Sequence, residues 1–136
     1  MNTAQEVVDT MYNNDAFSKW LGIEPIKDGA GLSVLKMQVR KEMTNAFGIA
    51  HGGITYSLAD SALAFASNAH GRISVSVETS ISHTIACKEG YILTTRVEEV
   101  SLSNKIGVYH IYITNQKEDM VAVFKGTVYR TSKEIK

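Results

Sequence analysis

NAFGIAHGGITYSLADSALAFASN, residues 45–68, divides into a polar loop and a segment that carries almost no charge. From about residue 53 to 68 the chain is rich in alanine and leucine, both good helix formers, and apolar side chains fall on most of the circumference. The run is too long for a buried strand, so it reads as a helix, ended by His70-Gly71. A helix apolar nearly all round needs cover on most of its sides. Within it, only Asp60 is ionised for certain at neutral pH. An unpaired buried carboxylate is strongly unfavourable. Asp60 is therefore satisfied by Ser57, Ser61 or a backbone donor, displaced to the surface, or used in chemistry.

Working outward, residues 3–14 place Val7, Val8 and Met11 at helical spacing behind a capping box of Thr3 and Glu6. A hairpin follows: a strand through Ile23, a turn at Asp28-Gly29-Ala30-Gly31, and a strand through Val39. Beyond the central helix, ISVSVETSISHTI alternates strictly. Ile73, Val75, Val77, Thr79, Ile81, His83 and Ile85 would share one face of a long strand, and the serines, Glu78 and Thr84 the other. Three further strands are expected near 91–101, 106–116 and 120–131, with short turns that make neighbours antiparallel. These elements predict an α+β fold in which a curved antiparallel sheet wraps one long central helix. One domain spans 1–136, with an N-terminal helical segment over 1–16, a loop and central helix over 45–70, and a β-meander over 72–131. One such sheet cannot cover the helix fully, which points to a partner subunit.

The 136 residues are 44% hydrophobic and 21% charged, ordinary for a globular domain. Fourteen basic and fourteen acidic residues cancel, so no global charge recommends a nucleic-acid partner. A single cysteine, Cys87, excludes an internal disulfide. The opening MNTAQEVVDTMYNNDAF has no basic start followed by a long apolar run, and the expectation is a cytoplasmic protein without a membrane partner.

The candidate chemistry lies where the loop enters the helix. The first amides of a helix lack internal acceptors and sit at its positive end. Gly52 and Gly53 would let a ligand oxygen approach those amides closely, to polarise a carbonyl or hold an oxyanion; alternatively they serve only a tight turn or close packing. Asp60 follows eight residues later, about 12 Å along a helix axis, whereas a carboxylate acting on water must come within about 3 Å. Gly52 and Asp60 of one chain cannot share a reacting centre, but two antiparallel helices related by a twofold axis could bring them together. Asn45 is either an amide donor to the same site or a turn residue, and His51 is either functional or structural. The four histidines show no ligand spacing, and His83 and Cys87 are about 13 Å apart if extended, so no metal is expected. Cys87 sits in IACKEG without an evident base, and no G-x-S-x-G or P-loop pattern occurs. Phe47, Ile49, Tyr56, Leu63 and Phe65 are core residues or the lining of a slot fit for an aryl group.

The pattern N-x5-H-G-G-x6-D, here Asn45, His51, Gly52, Gly53 and Asp60, resembles the signature of hotdog-fold acyl-CoA thioesterases. YSLADSALAFASNAHG and NKIGVYHIYITNQKEDMVAVFKG narrow the similarity to the PaaI type, the phenylacetate-degradation thioesterases, over about Phe17 to Arg130. The resemblance implies a hotdog fold paired into dimers with one continuous sheet, which commonly assemble as tetramers. It implies an acyl-CoA substrate, phenylacetyl-CoA or a ring-hydroxylated derivative first, and no cofactor, since coenzyme A is part of the substrate. By the same resemblance Asn45 and the Gly52 amide would polarise the thioester carbonyl, with His51 and Gly53 in support. Asp60 of the opposite subunit would act as general base or nucleophile. Ser76 matches a serine that orients water in more distant relatives. Phe47, Tyr56 and Leu63 would contact the acyl group. One departure stands out: where the family often reads F-L-R-P, this chain reads HTIAC, with Ile85 and Ala86 in place of Arg and Pro. Lys88, Asn104 and Lys105 would then substitute as contacts for the coenzyme A phosphates, or be ordinary solvated turn residues. The rival functions are a hotdog hydratase or dehydratase, which needs a histidine paired with an acid across the dimer, and a non-catalytic acyl-CoA-binding module, which needs no carboxylate at position 60.

Overall fold

The Thr3–Glu6 capping box forms in the computed structural model, which describes residues 2–135. Thr3 Oγ1 accepts the Glu6 amide at 3.2 Å and the Thr3 amide donates to Glu6 Oε1 at 3.3 Å, opening helix α1 (Ala4–Asn13). A second, short helix, α2 (Ala16–Trp20), follows where the sequence predicted none. Asp15 caps it, accepting the Ser18 amide at 2.9 Å, and the left-handed Gly22 (φ 73°) turns the chain out of it. The Ser18 hydroxyl lies 2.7 Å from that of Ser61, so α2 is fastened to the central helix. That central helix is α3 (Gly52–Asn68), and the predicted hairpin is β1 (Glu24–Gly29) and β2 (Leu32–Gln38). A 3-10 turn over Lys41–Met43 also went unforeseen.

Four long strands complete the chain: β3 (Arg72–His83), β4 (Ile92–Leu102), β5 (Ile106–Thr114) and β6 (Met120–Glu134). They join the hairpin in one sheet of order β1-β2-β4-β5-β6-β3, antiparallel throughout. All six strands touch α3, so the sheet wraps the helix as the sequence leads one to expect. The expected meander over 72–131 is corrected in one respect. Only β4-β5-β6 form it; β3 pairs with β6 at the far edge, and the hairpin takes the place beside β4. The segment after β3 is too long for a tight hairpin and runs past the 44–50 loop, to which Lys88 is bridged at Ile49.

The strict alternation along β3 also fails, for a physical reason. A β-bulge at Val77 breaks the register with β6 between Ser76 and Glu78. Before it, Ser74 and Ser76 pair with Arg130 and Val128 and face inward, while Ile73 and Val75 stand exposed outside. After it, Ile81 and His83 oppose the buried Phe124 and Ala122 and face inward. One extra residue moves every following side chain to the other face. The bulge thereby turns His83 towards the N-terminus of α3.

Leu58, Ala62, Leu63, Phe65 and Ala66 of α3 are buried against Leu35, Leu93, Ile111 and Phe124 of the sheet. Gly126 permits the close approach: a Cβ there would sit 2.6 Å from Leu63 Cδ2. What the sheet leaves open is one stripe of α3, the exposed Gly53 and Asp60 with the half-buried Ser57 and Ala64.

Candidate active site

The loop before α3 is a tight hairpin closed by a bridge between Thr44 and Ala50, with Gly48 left-handed (φ 74°). Asn45 holds it together. Its side-chain oxygen accepts the amides of Phe47 at 2.9 Å and Ile49 at 3.4 Å. The carboxamide oxygen is thus committed to the loop, and only the NH2 group is free to donate. Asn45 and Gly52 line the same cleft of about 340 Å3, together with Ile49, Thr55, His83 and Cys87.

At the helix entrance the two glycines differ. The Gly53 amide donates to His51 Nδ1 at 3.2 Å, so His51 is the N-cap and its ring proton resides on Nε2. The Gly52 amide finds no acceptor among the described residues and opens on the cleft. Neither glycine has a positive φ. A Cβ at Gly52 would lie 3.4 Å from His83 Cε1, and one at Gly53 3.5 Å from His51 Nδ1, both ordinary contacts. Turn geometry and packing therefore do not demand glycine at position 52.

Opposite Gly52 stands His83, a residue the sequence suggested only as a metal ligand to be excluded. Its Nε2 lies 2.6 Å from Thr55 Oγ1, which in turn donates to the Gly52 carbonyl at 3.1 Å. The two side chains brace the first turn of α3. Cys87 is in the same cleft, so a base does lie near it in space, but His83 is engaged with Thr55. Burial pushes the Cys87 thiol up, away from the reactive thiolate. Among the described residues no group of three or more histidine, cysteine or acidic side chains could hold a metal.

Asp60 lies elsewhere. It lines a small cleft of about 80 Å3 with Leu63, Ser74 and Ser76, separate from that of Gly52. Neither predicted hydroxyl satisfies it: Ser57 donates to the Gly53 carbonyl, and Ser61 pairs with Ser18. Among the described residues its carboxylate has no hydrogen-bond partner. The surrounding protein withdraws water and raises its pKa above the ordinary 3.8, and the Asp15 carboxylate raises it further. One flank of the side chain nevertheless remains open to solvent. Ser76 does share a cleft with the carboxylate, on the inward face that the bulge assigns it.

The expected acyl contacts are dispersed. Phe47 is 87% exposed at the loop tip, outside the cleft. Tyr56 packs edge-on against Phe124 and its hydroxyl bonds Thr79. Leu63 and Phe65, 1% and 0% exposed, belong to the core, although Leu63 also floors the Asp60 cleft. Of the five, only Ile49 lines the cleft of Asn45 and Gly52. Lys88 is exposed next to Cys87 at the cleft's edge. Asn104 and Lys105 lie at the other end of the protomer, where Asn104 accepts from Arg72, the first residue of β3. About 24 Å of helix separates that end from Gly52.

The comparisons with known proteins agree with one another. Residues 47–122 match the profile of the Thioesterase superfamily. The chain is 38% identical to the acyl-coenzyme A thioesterase PaaI of Escherichia coli, over 88% of this chain and 86% of that one. It is likewise 38% identical to a putative esterase of Archaeoglobus fulgidus, over 96% of this chain and 84% of that one. The solved structure of the E. coli PaaI protein from the phenylacetic acid degradation operon superimposes with a TM-score of 0.95 at 35% identity, covering 98% of this chain and 96% of that one.

Proposed function

This chain belongs to the thioesterase superfamily and is an acyl-CoA thioesterase of the PaaI type with the hotdog fold; on that premise we propose a site divided between two subunits. The observation that carries the proposal is the separation on α3. The unpaired Gly52 amide opens on one cleft, and the unpaired Asp60 carboxylate on another, eight residues along the same rigid helix. Neither half is complete. A second copy, its helix antiparallel to the first, supplies what each lacks, and the unpaired outer edge of β3 offers a place for its sheet to continue.

In the assembled site the thioester oxygen accepts from the Gly52 amide and the Asn45 NH2 group. Both donors are fixed before substrate arrives, one by the helix and one by the Asx hydrogen bonds, so little reorganisation attends the growth of negative charge. The partner subunit's Asp60 removes a proton from water, whose oxygen adds to the carbonyl carbon. The tetrahedral intermediate expels coenzyme A as its thiolate and leaves the free acid. A raised pKa suits Asp60 to the base role more than to the nucleophile's, since a weakly solvated carboxylate takes up a proton more readily. Ser76, which shares the Asp60 cleft, would orient that water. Phenylacetyl-CoA and ring-hydroxylated aryl-CoAs are the proposed substrates, with short acyl-CoAs next, and Lys88, exposed and next in the chain to Cys87, is the proposed contact for the phosphates. A binding module would have no use for an unpaired carboxylate at position 60. A hydratase would need His51 for chemistry, whereas its Nδ1 caps α3.

Co-assembly of two inactive chains tests the divided site. Gly52→Pro removes the amide at a helical position that tolerates proline, and Asp60→Asn removes the base. Neither homodimer should release thiol from phenylacetyl-CoA. An equal mixture, refolded together, should recover about a quarter of wild-type activity, since half the dimers then carry one intact site of two. A mixture as inactive as its components would refute the divided site.

A further inference from the structure

The N-terminus of α3 separates two clefts, of which the mechanism above uses one. The second, about 390 Å3, lies on the opposite side of the same turn. Its floor is His51, Gly53 and Ser57, and its wall is an aromatic pair from α2, Phe17 and Trp20. The volume is within the about 300–1,000 Å3 range of small-ligand sites. The two rings are nearly parallel, 13° between planes with centroids 6.1 Å apart, and remain 54% and 51% exposed. They are held in place. The Arg40 guanidinium lies 5.1 Å from the Trp20 ring centroid and donates to the Trp20 carbonyl at 2.7 Å, while Ser18, between the two aromatics in sequence, is fastened to Ser61 beside Asp60.

Resting on the thioesterase site proposed above, we infer that this groove receives the acyl group and that Phe17 and Trp20 select aromatic acids. A thioester bound at the Gly52 amide has two arms to place. The coenzyme A arm carries phosphates and suits the cleft over residues 83–87, where the next residue, Lys88, is exposed and bridged to the lining residue Ile49. The aromatic groove is lined chiefly by Phe17, Trp20, Met43 and Ile54; its one acid, Glu42, already pairs with Arg40 at 3.7 Å, and no lysine or arginine is among its lining residues to hold phosphate. That leaves the groove to the apolar arm. It follows the face of α3 that carries Gly53, Ser57 and Asp60, the face on which the partner's helix would present its own carboxylate. A phenyl ring entering there meets preset aromatic surfaces at favourable offset or edge contacts, whereas an acetyl group has no ring to offer them.

Trp20 is the only tryptophan in the chain, so its fluorescence reports the groove directly. The wild-type protein should change its emission on binding a non-hydrolysable thioether analogue of phenylacetyl-CoA and not on binding coenzyme A alone. Selectivity gives the second readout. In Trp20→Ala and Phe17→Ala the ratio of kcat/KM for phenylacetyl-CoA over acetyl-CoA should fall by roughly tenfold or more, and Trp20→Phe should restore most of it. Emission that responds equally to coenzyme A alone would assign the groove to the other arm and overturn the inference. So would silent emission, or an unchanged ratio in the alanine variants, as expected if a second copy or other protein covers the aromatics. Failure of the underlying site is distinguishable: the wild-type protein would then release no thiol from either substrate.

Discussion

Replacing Gly52 with alanine separates a glycine kept for folding from one kept for a ligand. Its φ is not positive, and the added Cβ would meet only the His83 ring, Cε1 at 3.4 Å and Nε2 at 3.9 Å. The fold therefore has no reason to resist. Alanine also restricts the unfolded chain and favours helix, so the variant should be more stable by about 0.4–1 kcal/mol. For a domain of this size that is a rise in Tm of roughly 1–5 °C. Activity should move the other way. The methyl group projects from the first turn towards His83, into the cleft where a carbonyl must reach the Gly52 amide. Loss of one such donor costs about 10²–10³ in kcat, and a displaced carbonyl forfeits most of that. Thermal melting followed by circular dichroism gives the first quantity; thiol release from acyl-CoA, read with a disulfide reagent, gives the second. A Tm several degrees lower with a matching loss of activity would mean that packing requires the glycine. Full activity with an unchanged Tm would mean that the amide is not used. Either result refutes the role assigned to Gly52.

Asp60 links stability to pH in the direction opposite to a salt-bridged carboxylate. Its folded pKa lies above 3.8, so the folded state binds the proton more tightly and stability falls as pH rises through that window. Asp60→Asn should therefore melt higher than wild type at pH 7, with the advantage vanishing below about pH 3.8, while turnover drops about 10²–10⁴-fold. The acidic limb of the wild-type kcat/KM profile should likewise lie above the ordinary aspartate value. For Asn45, aspartate is the informative substitution: it keeps an acceptor for the Phe47 and Ile49 amides and removes the donor. Asn45→Asp should melt close to wild type by calorimetry and lose roughly 10²-fold or more in kcat.

The helix, the hairpin and the existence of every long strand were legible because each rests on a local period or turn signal. What the sequence concealed depends on contacts distant along the chain. The Val77 bulge is one case. ISVSVETSISHTI alternates without a break, and only pairing with β6 shows that an extra residue turns Ile81 and His83 inward. His83, which the sequence raises only as a metal ligand beside Cys87, stands as a wall of the cleft on the segment after that bulge. The short helix α2 did leave a signal, Asp15 as N-cap and Gly22 as stop, but five residues are too few to show a period. Phe65, open in sequence between core and slot lining because an aromatic on an apolar helix looks alike in either place, is core. Asn45 had been weighed as turn residue or donor. Its oxygen serves the first role and leaves its NH2 group free to donate, so the two readings do not compete.

The proposed division of the site rests on the helix that the sheet wraps. A straight α-helix fixes Gly52 and Asp60 about 12 Å apart, and no side-chain rotation within the chain closes that gap. An antiparallel copy closes it in one register only. Positions 52 and 60 are each four residues from position 56, so the twofold axis must pass near Tyr56 and Ser57. The side chains along the open stripe suit that register: Gly53, Ser57 and Ala64 are small enough for two helices to approach closely, and Asp60 is the one charged group among them. Its missing hydrogen-bond partner and raised pKa, costly in a lone chain, then have the same origin. In the proposed dimer a second helix, the thioester and one water would complete the carboxylate's surroundings, and a subunit without its twin would hold two unfinished halves.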